Sequence, residues 1–161
     1  MEKSDSEDNP SQILTKTYAD ILYDKGIIID YEICFFEKEI DGKKLKINFF
    51  FLDENNSKLD IFASLQNQEN VVKSVNISKL NSLAEESLNF FQAIYKNLSS
   101  NINKNEDIYD LSKQLPKLKN PIKNLRIFIF TDFICEKKIS LNQISSKINC
   151  ETILYDLNKI Y

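Results

Sequence analysis

The chain has 161 residues, of which 42% are hydrophobic, 11% aromatic and 28% charged, and this composition predicts one globular domain rather than a disordered or collagen-like chain. Its 21 basic and 24 acidic residues give a net charge of −3, so the molecule as a whole has no general attraction for nucleic acid or for an anionic membrane. Histidine is absent, which removes the usual general base near neutral pH and the commonest transition-metal ligand.

The cysteines give no sign of a metal site. Cys34, Cys135 and Cys150 are widely spaced and form no CxxC pair. An odd number of cysteines, behind an acidic and polar N-terminus that is unlike a signal peptide, favours reduced thiols. No apolar run approaches the roughly 20 residues that a membrane-spanning helix requires. The sequence therefore predicts a cytoplasmic protein with no membrane partner.

The first elements expected along the chain are a polar tail and a helix. Residues 1–10 contain almost no apolar side chains and are expected to be disordered. Ser11 is the expected N-cap of a helix that ends at Gly26, because a helix C-terminus favours a residue with positive φ. One face of this helix carries Ile13, Leu14, Thr17, Tyr18, Ile21 and Leu22.

Three strands are predicted next, and together they form an antiparallel meander. Residues 32–40, 45–52 and 59–65 are strand-like, and they are joined by a tight turn at Asp41-Gly42 and a polar turn at residues 53–58. In the second strand, alternation places Leu45, Ile47, Phe49 and Phe51 on one face and Lys46, Asn48, Phe50 and Leu52 on the other. In the third strand the inward residues are Leu59, Ile61, Ala63 and Leu65.

The second half of the chain predicts helices and two further strands. Ser78 is the expected N-cap of a long helix whose apolar stripe packs in the core, and a shorter helix is expected from Asp107 to about Leu115. Residues 125–130 are apolar on both faces apart from Arg126, which predicts a strand covered on both sides. Ser140 and Gln143 match a capping box for a last helix, and residues 152–157 form the last strand.

This order of elements is similar to the core of the restriction-endonuclease-like fold, an α/β (α+β) architecture with a mixed sheet. The successive segments DKGIIIDYEICFFEKE, LKINFFFLDENNSKLDIFASL, NFF, LRIFIFTD and ILYDLNKIY also resemble the N-terminal domain of the abortive infection phage resistance (AIPR) family, over roughly residues 20–161. Lys159 stands where the family's closing motif has arginine. The resemblance implies a bacterial phage-defence protein in which residues 11–161 form one domain, the N-terminal part of a longer protein.

Nucleases of this fold hold Mg²⁺ with an acidic residue on the second strand and an Asp/Glu-x-Lys triplet on the third. The corresponding positions here are Asn48 and either Ala63-Ser64-Leu65 or Phe62-Ala63-Ser64. Neither register supplies a carboxylate followed two residues later by lysine. The degenerate positions Asn48, Ala63 and Leu65 therefore predict a domain with no catalytic residue, no metal and no cofactor.

Other candidate sites are less specific. Asp30 together with Asp41-Gly42-Lys43 matches a bare Asp…Asp-x-Lys pattern. If the protein were an active metal-dependent nuclease, these residues would be its site. However, Asp41-Gly42 is also the strongest turn signal in the chain. Thr131-Asp132 follows the apolar strand, where open sheets often bind ligands, but a loop hydrogen bond is the simpler explanation. No Ser-His or Cys-His pair and no glycine-rich phosphate loop is present.

The sequence thus predicts a catalytically inactive, nuclease-like domain that serves as a scaffold, oligomerisation or sensing module through a protein partner or self-association. A nucleic-acid-binding module is the alternative, and an active nuclease is a third possibility. Two lysine clusters are the candidates for nucleic-acid contacts: Lys43, Lys44 and Lys46, and Lys117, Lys119 and Lys123.

Overall fold

The computed structural model describes residues 9–135 and 148–161. The helices in these residues are α1 (Pro10–Asp24), α2 (Ile77–Ile94) and α3 (Tyr109–Gln114). The strands are β1 (Glu32–Ile40), β2 (Lys43–Asp53), β3 (Lys58–Leu65), β4 (Asn124–Thr131) and β5 (Asn149–Tyr155).

The five strands form a single mixed sheet in the order β1-β2-β3-β4-β5. The first three strands are antiparallel neighbours, as predicted, whereas β4 is parallel to β3 and β5 is parallel to β4. The predicted α+β class with a mixed sheet is confirmed. We call the end of the sheet that contains the Asp41-Gly42 turn the hairpin end. The C-terminal ends of β3, β4 and β5 lie at this same end. The other end, where those three strands begin, is called the opposite end.

Each face of the sheet is covered by a helix, and this produces two hydrophobic clusters. The larger cluster lies on the α2 side and includes Ile61, Leu80, Phe90, Ile127 and Ile129. The smaller cluster lies on the α1 side and includes Tyr18, Leu22, Phe49, Phe62, Phe128 and Phe130. Since β4 contributes alternate residues to both clusters, the prediction that this strand is covered on both sides is confirmed.

The predicted turn residues adopt the backbone angles that favour them. Asp41 and Gly42 have φ angles of 53° and 78°, both in the left-handed region that a tight two-residue hairpin turn requires. Gly26 has a φ of 73° directly after Lys25, the C-cap of α1. The turn and the end of the first helix therefore lie where the sequence placed them.

The helix starts differ from the prediction. Asn9 and Asn76 are the N-caps of α1 and α2, and their side chains accept hydrogen bonds from the backbone N–H groups of Ser11 and Ser78 at 2.7 and 2.9 Å. The predicted caps, Ser11 and Ser78, were each placed two residues too late, because serine and asparagine are about equally good cap residues. Residues 9 and 10, assigned to the disordered tail, belong to the start of α1, with Pro10 in the first turn.

The remaining boundaries differ by a few residues. The short helix α3 covers Tyr109–Gln114, and Pro116 lies in the 3₁₀ turn that follows it. The last strand starts at Asn149, three residues before its predicted start, because Asn149 pairs with Asn124 at the beginning of β4. The capping box of the predicted last helix, Ser140 and Gln143, lies outside the described residues.

Candidate functional site

The alternation of side chains along β2 is interrupted at Asn48. Leu45 and Ile47 lie in the larger cluster on the α2 side, but Phe49 lies in the smaller cluster on the α1 side. The predicted alternation therefore holds as far as Asn48, which faces α1, and is wrong from Phe49 onward. Its cause is a bulge: β1 pairs Phe36 with Ile47 and Ile33 with Phe49, so two β1 residues oppose the single residue Asn48.

The side chain of Asn48 is fully buried and uses all of its polar atoms. Its Nδ2 donates hydrogen bonds to Gln12 Oε1 at 2.6 Å and to Ser11 Oγ at 2.9 Å. Its Oδ1 accepts a hydrogen bond from the backbone N–H of Ser64 at 3.0 Å. Asn48 therefore joins the first turn of α1 to strands β2 and β3.

Further hydrogen bonds extend this contact between α1 and the sheet. The hydroxyl groups of Thr15 and Ser64, both buried, are 2.7 Å apart. Gln12 Nε2 donates to the carbonyl of Cys34 at 3.1 Å. We call Ser11, Gln12, Thr15, Asn48 and Ser64 the polar network. All five side chains are neutral, so the network satisfies buried polar groups without burying a charge.

The third-strand positions do not all face this network. Ala63 is fully buried in the larger cluster and Leu65 packs against that cluster, so both lie on the α2 side of the sheet, away from Asn48. Phe62 and Ser64 lie on the α1 side with Asn48. Of the two registers that the sequence left open, Phe62-Ala63-Ser64 is therefore the one that faces the second-strand position.

The residues at these positions do not fit a magnesium ion. Mg²⁺ binds through carboxylates and retained water molecules at octahedral geometry. Here an amide, a phenyl ring and a hydroxyl occupy the positions, and the polar atoms of Asn48 are bonded to neighbouring protein groups. Within residues 9–135 and 148–161, no group of three or more acidic, cysteine or histidine side chains could hold a metal ion.

The other candidate metal site is not assembled either. Asp41 and Lys43 lie at the hairpin end of the sheet, whereas Asp30 precedes β1 at the opposite end. The nine residues of β1 separate them, which is about 30 Å at roughly 3.3 Å per residue. Asp30 accepts a hydrogen bond from the backbone N–H of Tyr31 at 2.8 Å. The structure therefore does not bring Asp30, Asp41 and Lys43 together.

A protein-family model described as "Abortive infection phage resistance protein N-terminal domain" matches residues 14–161. The chain belongs to the AIPR family. The resemblance found in the sequence is confirmed over almost the whole domain, and the family is one of phage resistance by abortive infection. The chain matches no curated protein and no solved structure at a significant level. In the part of the chain that the structure describes, no helix is long and apolar enough to span a bilayer.

The hairpin end of the AIPR domain contains a second group of polar residues. Thr131 Oγ1 donates to the carbonyl of Leu65 at 2.7 Å and accepts from the N–H of Phe133 at 3.2 Å. Asp132 accepts from the N–H of Asn67 at 2.6 Å. The explanation of Thr131-Asp132 as a source of loop hydrogen bonds is therefore confirmed.

Asp156, the first residue of the closing AIPR motif, has a similar role. It is buried, and its two carboxylate oxygens accept hydrogen bonds from the backbone N–H groups of Cys135 and Lys159 at 2.9 and 2.8 Å. The ammonium of Lys159, which replaces the family's arginine, lies 4.8 Å from the centre of the Tyr155 ring. Sequence reasoning gave Asp156 no role: the N–H of Lys159 is a local partner three residues along the chain, but the N–H of Cys135 is 21 residues away and is brought near only by folding.

The lysine clusters of the AIPR domain do not form one basic surface. Lys43, Lys44 and Lys46 lie at the hairpin end, whereas Lys117, Lys119 and Lys123 precede β4 at the opposite end. Lys44 and Lys46 are paired across the sheet with Glu39 and Glu37. Lys46 Nζ also donates to the carbonyl of Ser64 at 3.1 Å. The positive charge at the hairpin end is therefore largely balanced by neighbouring carboxylates.

Arg126, the only arginine in the sequence, forms an ion pair inside the domain. Its Nε and one Nη donate to the two carboxylate oxygens of Asp60 at 2.8 Å each, and the side chains of Arg126 and Asp60 are 17% and 2% exposed. The guanidinium also lies 4.9 Å from the centre of the Phe128 ring. Burial opposes the charge, but the hydrogen bonds that Arg126 donates to Asp60, together with the negative charge of Asp60, outweigh this effect and raise the pKa of Arg126. This side chain is therefore not free to contact a phosphate.

Proposed function

We propose that this AIPR domain has a restriction-endonuclease-like fold whose catalytic metal centre has been replaced, and that it acts in phage defence as a catalytically inactive scaffold, oligomerisation or sensing module. The observation that carries the proposal is the polar network. It occupies the position where a nuclease of this fold would place its second-strand and third-strand ligands, and it fills that position with neutral side chains.

The position of α1 supports the same conclusion. Gln12 and Thr15 are 2% and 0% exposed, and they lie directly over Asn48 and Ser64. A nuclease requires this place to be open, because its metal ions must contact both water and a phosphate of the substrate. In this domain Gln12 and Thr15 instead hold α1 against the sheet through hydrogen bonds to Asn48 and Ser64.

Nucleic-acid binding without catalysis is less well supported. The two lysine clusters lie at opposite ends of the sheet, Arg126 is paired with Asp60, and the net charge is −3. A phosphate-binding surface generally requires several cations on one face.

The proposal is tested by incubating the purified chain with labelled single-stranded DNA, duplex DNA and RNA in Mg²⁺ and in Mn²⁺. Gels report cleavage, and fluorescence anisotropy reports binding. We expect no cleavage. Metal-dependent cleavage that is lost in Asp30→Asn or Asp41→Asn, but retained in the control Asp110→Asn, would overturn the proposal. Binding that weakens steeply with salt, without cleavage, would favour the nucleic-acid-binding alternative.

A second measurement addresses the metal directly and does not depend on activity. Mn²⁺ is paramagnetic and broadens the NMR signals of nearby nuclei. We expect the backbone amide signals of Asn48 and Ser64 to keep their line widths when Mn²⁺ is added. Selective broadening of these two signals at low Mn²⁺ concentration would show that the polar network is a metal site after all.

A further inference from the structure

A cleft of about 120 Å³ lies between the β1–β2 turn and the C-terminal end of α2. Its apolar surface comes from Ile40, Leu45, Ala93 and Leu98, of which Leu45 and Leu98 are buried. The cleft is separate from the polar network, because Leu45 lies on the α2 side of the sheet and Asn48 on the α1 side.

The rim of the cleft carries charges of both signs. Lys43 and Lys96 are cationic, and Asp41 is anionic. None of the three belongs to an ion pair among the residues that the structure describes. The carbonyl groups at the end of α2 add partial negative charge, since Ile94 is its last residue. The rim can therefore bind a carboxylate at one place and an ammonium group at another.

Three side-chain amides complete the lining, those of Asn89, Gln92 and Asn101. Asn89 donates to the carbonyl of Lys44 at 3.2 Å, which holds this amide in place. Amides can both donate and accept hydrogen bonds, so they suit a ligand that carries donors as well as acceptors.

The volume limits the size of the ligand. A cavity of about 150 Å³ holds a benzene molecule, so a cleft of about 120 Å³ accommodates a group smaller than benzene, such as an isopropyl side chain, with the charged groups of the ligand at the rim. We propose that the cleft binds a free amino acid with a short aliphatic side chain. Its carboxylate lies toward Lys43 and Lys96, its ammonium group toward Asp41 and the end of α2, and its side chain against Ile40 and Ala93, the two apolar lining residues that are only half-buried. This inference concerns a ligand site and is independent of the scaffold function proposed above.

The first test is a titration of the ¹⁵N-labelled chain with L-valine, followed by NMR. We expect saturable shifts of the side-chain amide signals of Asn89, Gln92 and Asn101. Isovalerate and isobutylamine, which are valine without its ammonium group and valine without its carboxylate, should each bind about tenfold more weakly, because each lacks one charged hydrogen-bonding group. Binding of isovalerate as tight as that of valine, or no saturable shift with valine, would overturn the proposal.

Variants locate the site. Lys43→Gln and Lys96→Gln should each weaken valine binding by about tenfold. Lys44→Gln is the matched control, because Lys44 is the neighbour of Lys43 but does not line the cleft, and it should bind valine normally. Ala93→Leu fills the cleft without changing its polar rim and should abolish binding. Valine binding to Ala93→Leu equal to that of the unmodified chain would place the ligand elsewhere and refute the assignment.

Discussion

At the scale of single residues, the chemistry of an amide explains why Asn48 suits its position. The side chain must donate to Gln12 Oε1 and Ser11 Oγ and must also accept from the N–H of Ser64. An ionised aspartate could accept but not donate, and its charge would be fully desolvated at a position with 0% exposure. The residue that excludes a metal ligand from this position thus also satisfies the local hydrogen bonds.

Replacing Asn48 with alanine should lower the free energy of unfolding by about 2–4 kcal/mol, because it leaves the N–H of Ser64 and the oxygens of Gln12 and Ser11 without their partner. Urea unfolding followed by circular dichroism measures the change. Asn120→Ala, at an exposed loop position, is the control and should stay within about 0.5 kcal/mol. Equal effects of the two substitutions would show that the polar network does not hold α1 to the sheet.

Tyr18 is the residue whose titration should affect stability at high pH. It is buried, and its hydroxyl donates to the carbonyl of Thr131 at 2.8 Å. Burial, together with the negative charges of Asp132 and Asp156, raises the pKa of Tyr18 well above its ordinary value of 10.0. The folded state therefore favours the neutral phenol, and this contribution to stability is complete below about pH 10 and is lost as the pH rises further.

We expect the free energy of unfolding to fall above about pH 10, with one such group contributing at most about 1.4 kcal/mol per pH unit. Tyr18→Phe should reduce this slope without abolishing it, because burial also raises the pKa values of Cys34, Tyr31, Tyr95 and Tyr155. Urea unfolding between pH 8 and 11 gives the slopes, with Tyr23→Phe, at a half-exposed position, as the control. If the free energy of unfolding of Tyr18→Phe fell with pH as steeply as that of the unmodified chain, Tyr18 would not be a source of the pH dependence.

At the scale of elements, the start of α2 depends on one side chain that the sequence did not distinguish from its neighbour. Asn76 has an extended backbone (φ −71°, ψ 133°) and its Oδ1 accepts from the N–H of Ser78. Ser78 lies inside the first turn and is exposed. Both residues are common N-caps, so only the backbone conformation identifies which of the two acts as the cap.

Asn76→Ala should therefore lower the free energy of unfolding by about 1 kcal/mol, the usual value of an N-cap. Ser78→Ala is the matched control two residues away and should change stability by less than about 0.5 kcal/mol. Thermal or urea unfolding of the two variants gives the comparison. If Ser78→Ala lowered the free energy of unfolding more than Asn76→Ala, then Ser78, the residue predicted from the sequence, would be the N-cap.

At the scale of the whole molecule, the sheet separates two hydrophobic clusters, and β3 and β4 contribute to both. These strands have neighbours on both sides in the sheet, whereas β1 has a neighbour on one side only within residues 9–135 and 148–161. The bulge opposite Asn48 further interrupts the pairing of β1 with β2. An interrupted strand at an edge is a poor template for pairing with another chain.

Hydrogen exchange should reflect this arrangement. We expect the amides of Ile127–Phe130 to exchange only when the whole domain unfolds, because they are hydrogen-bonded within a strand that is buried on both faces. Amides of Glu37–Glu39 in β1 should exchange faster through local opening. The rates are measured by NMR or mass spectrometry in deuterated buffer. Equally slow exchange in β1 and β4 would show that the edge is protected by another interaction.

Much of the architecture follows from local patterns in the sequence. Asp41-Gly42 and Gly26 mark their turns because few other residues adopt positive φ without strain. The uninterrupted apolar run around Phe128 and Phe130 identifies a strand covered on both sides, because such a strand has no face that needs polar residues. Family membership was also visible, since the family's motifs are themselves these strand cores.

The candidate site was only partly predictable. Alanine and leucine at positions 63 and 65, together with Asn48, lack the carboxylates that the ordinary ligand set requires, and this is visible in the sequence. The sequence could not show that Phe49 lies on the same face as Asn48, because the bulge that interrupts the alternation depends on pairing with β1. It also could not show that Ser11, Gln12 and Thr15 meet Ser64, which is 49 residues beyond Thr15 in the chain.

Periodicity and turn chemistry, which act between neighbouring residues, were therefore sufficient to determine the α+β class, the meander and the core strands from the sequence alone. The tertiary structure decided which side chains meet. It brought the residues of the polar network into contact and paired Arg126 with Asp60. It placed Asp30 at the opposite end of the sheet from Asp41 and Lys43, and the two lysine clusters at different ends. The physical reason is that strand register and helix docking are set by contacts between distant segments, and these contacts leave no periodic signal in the sequence.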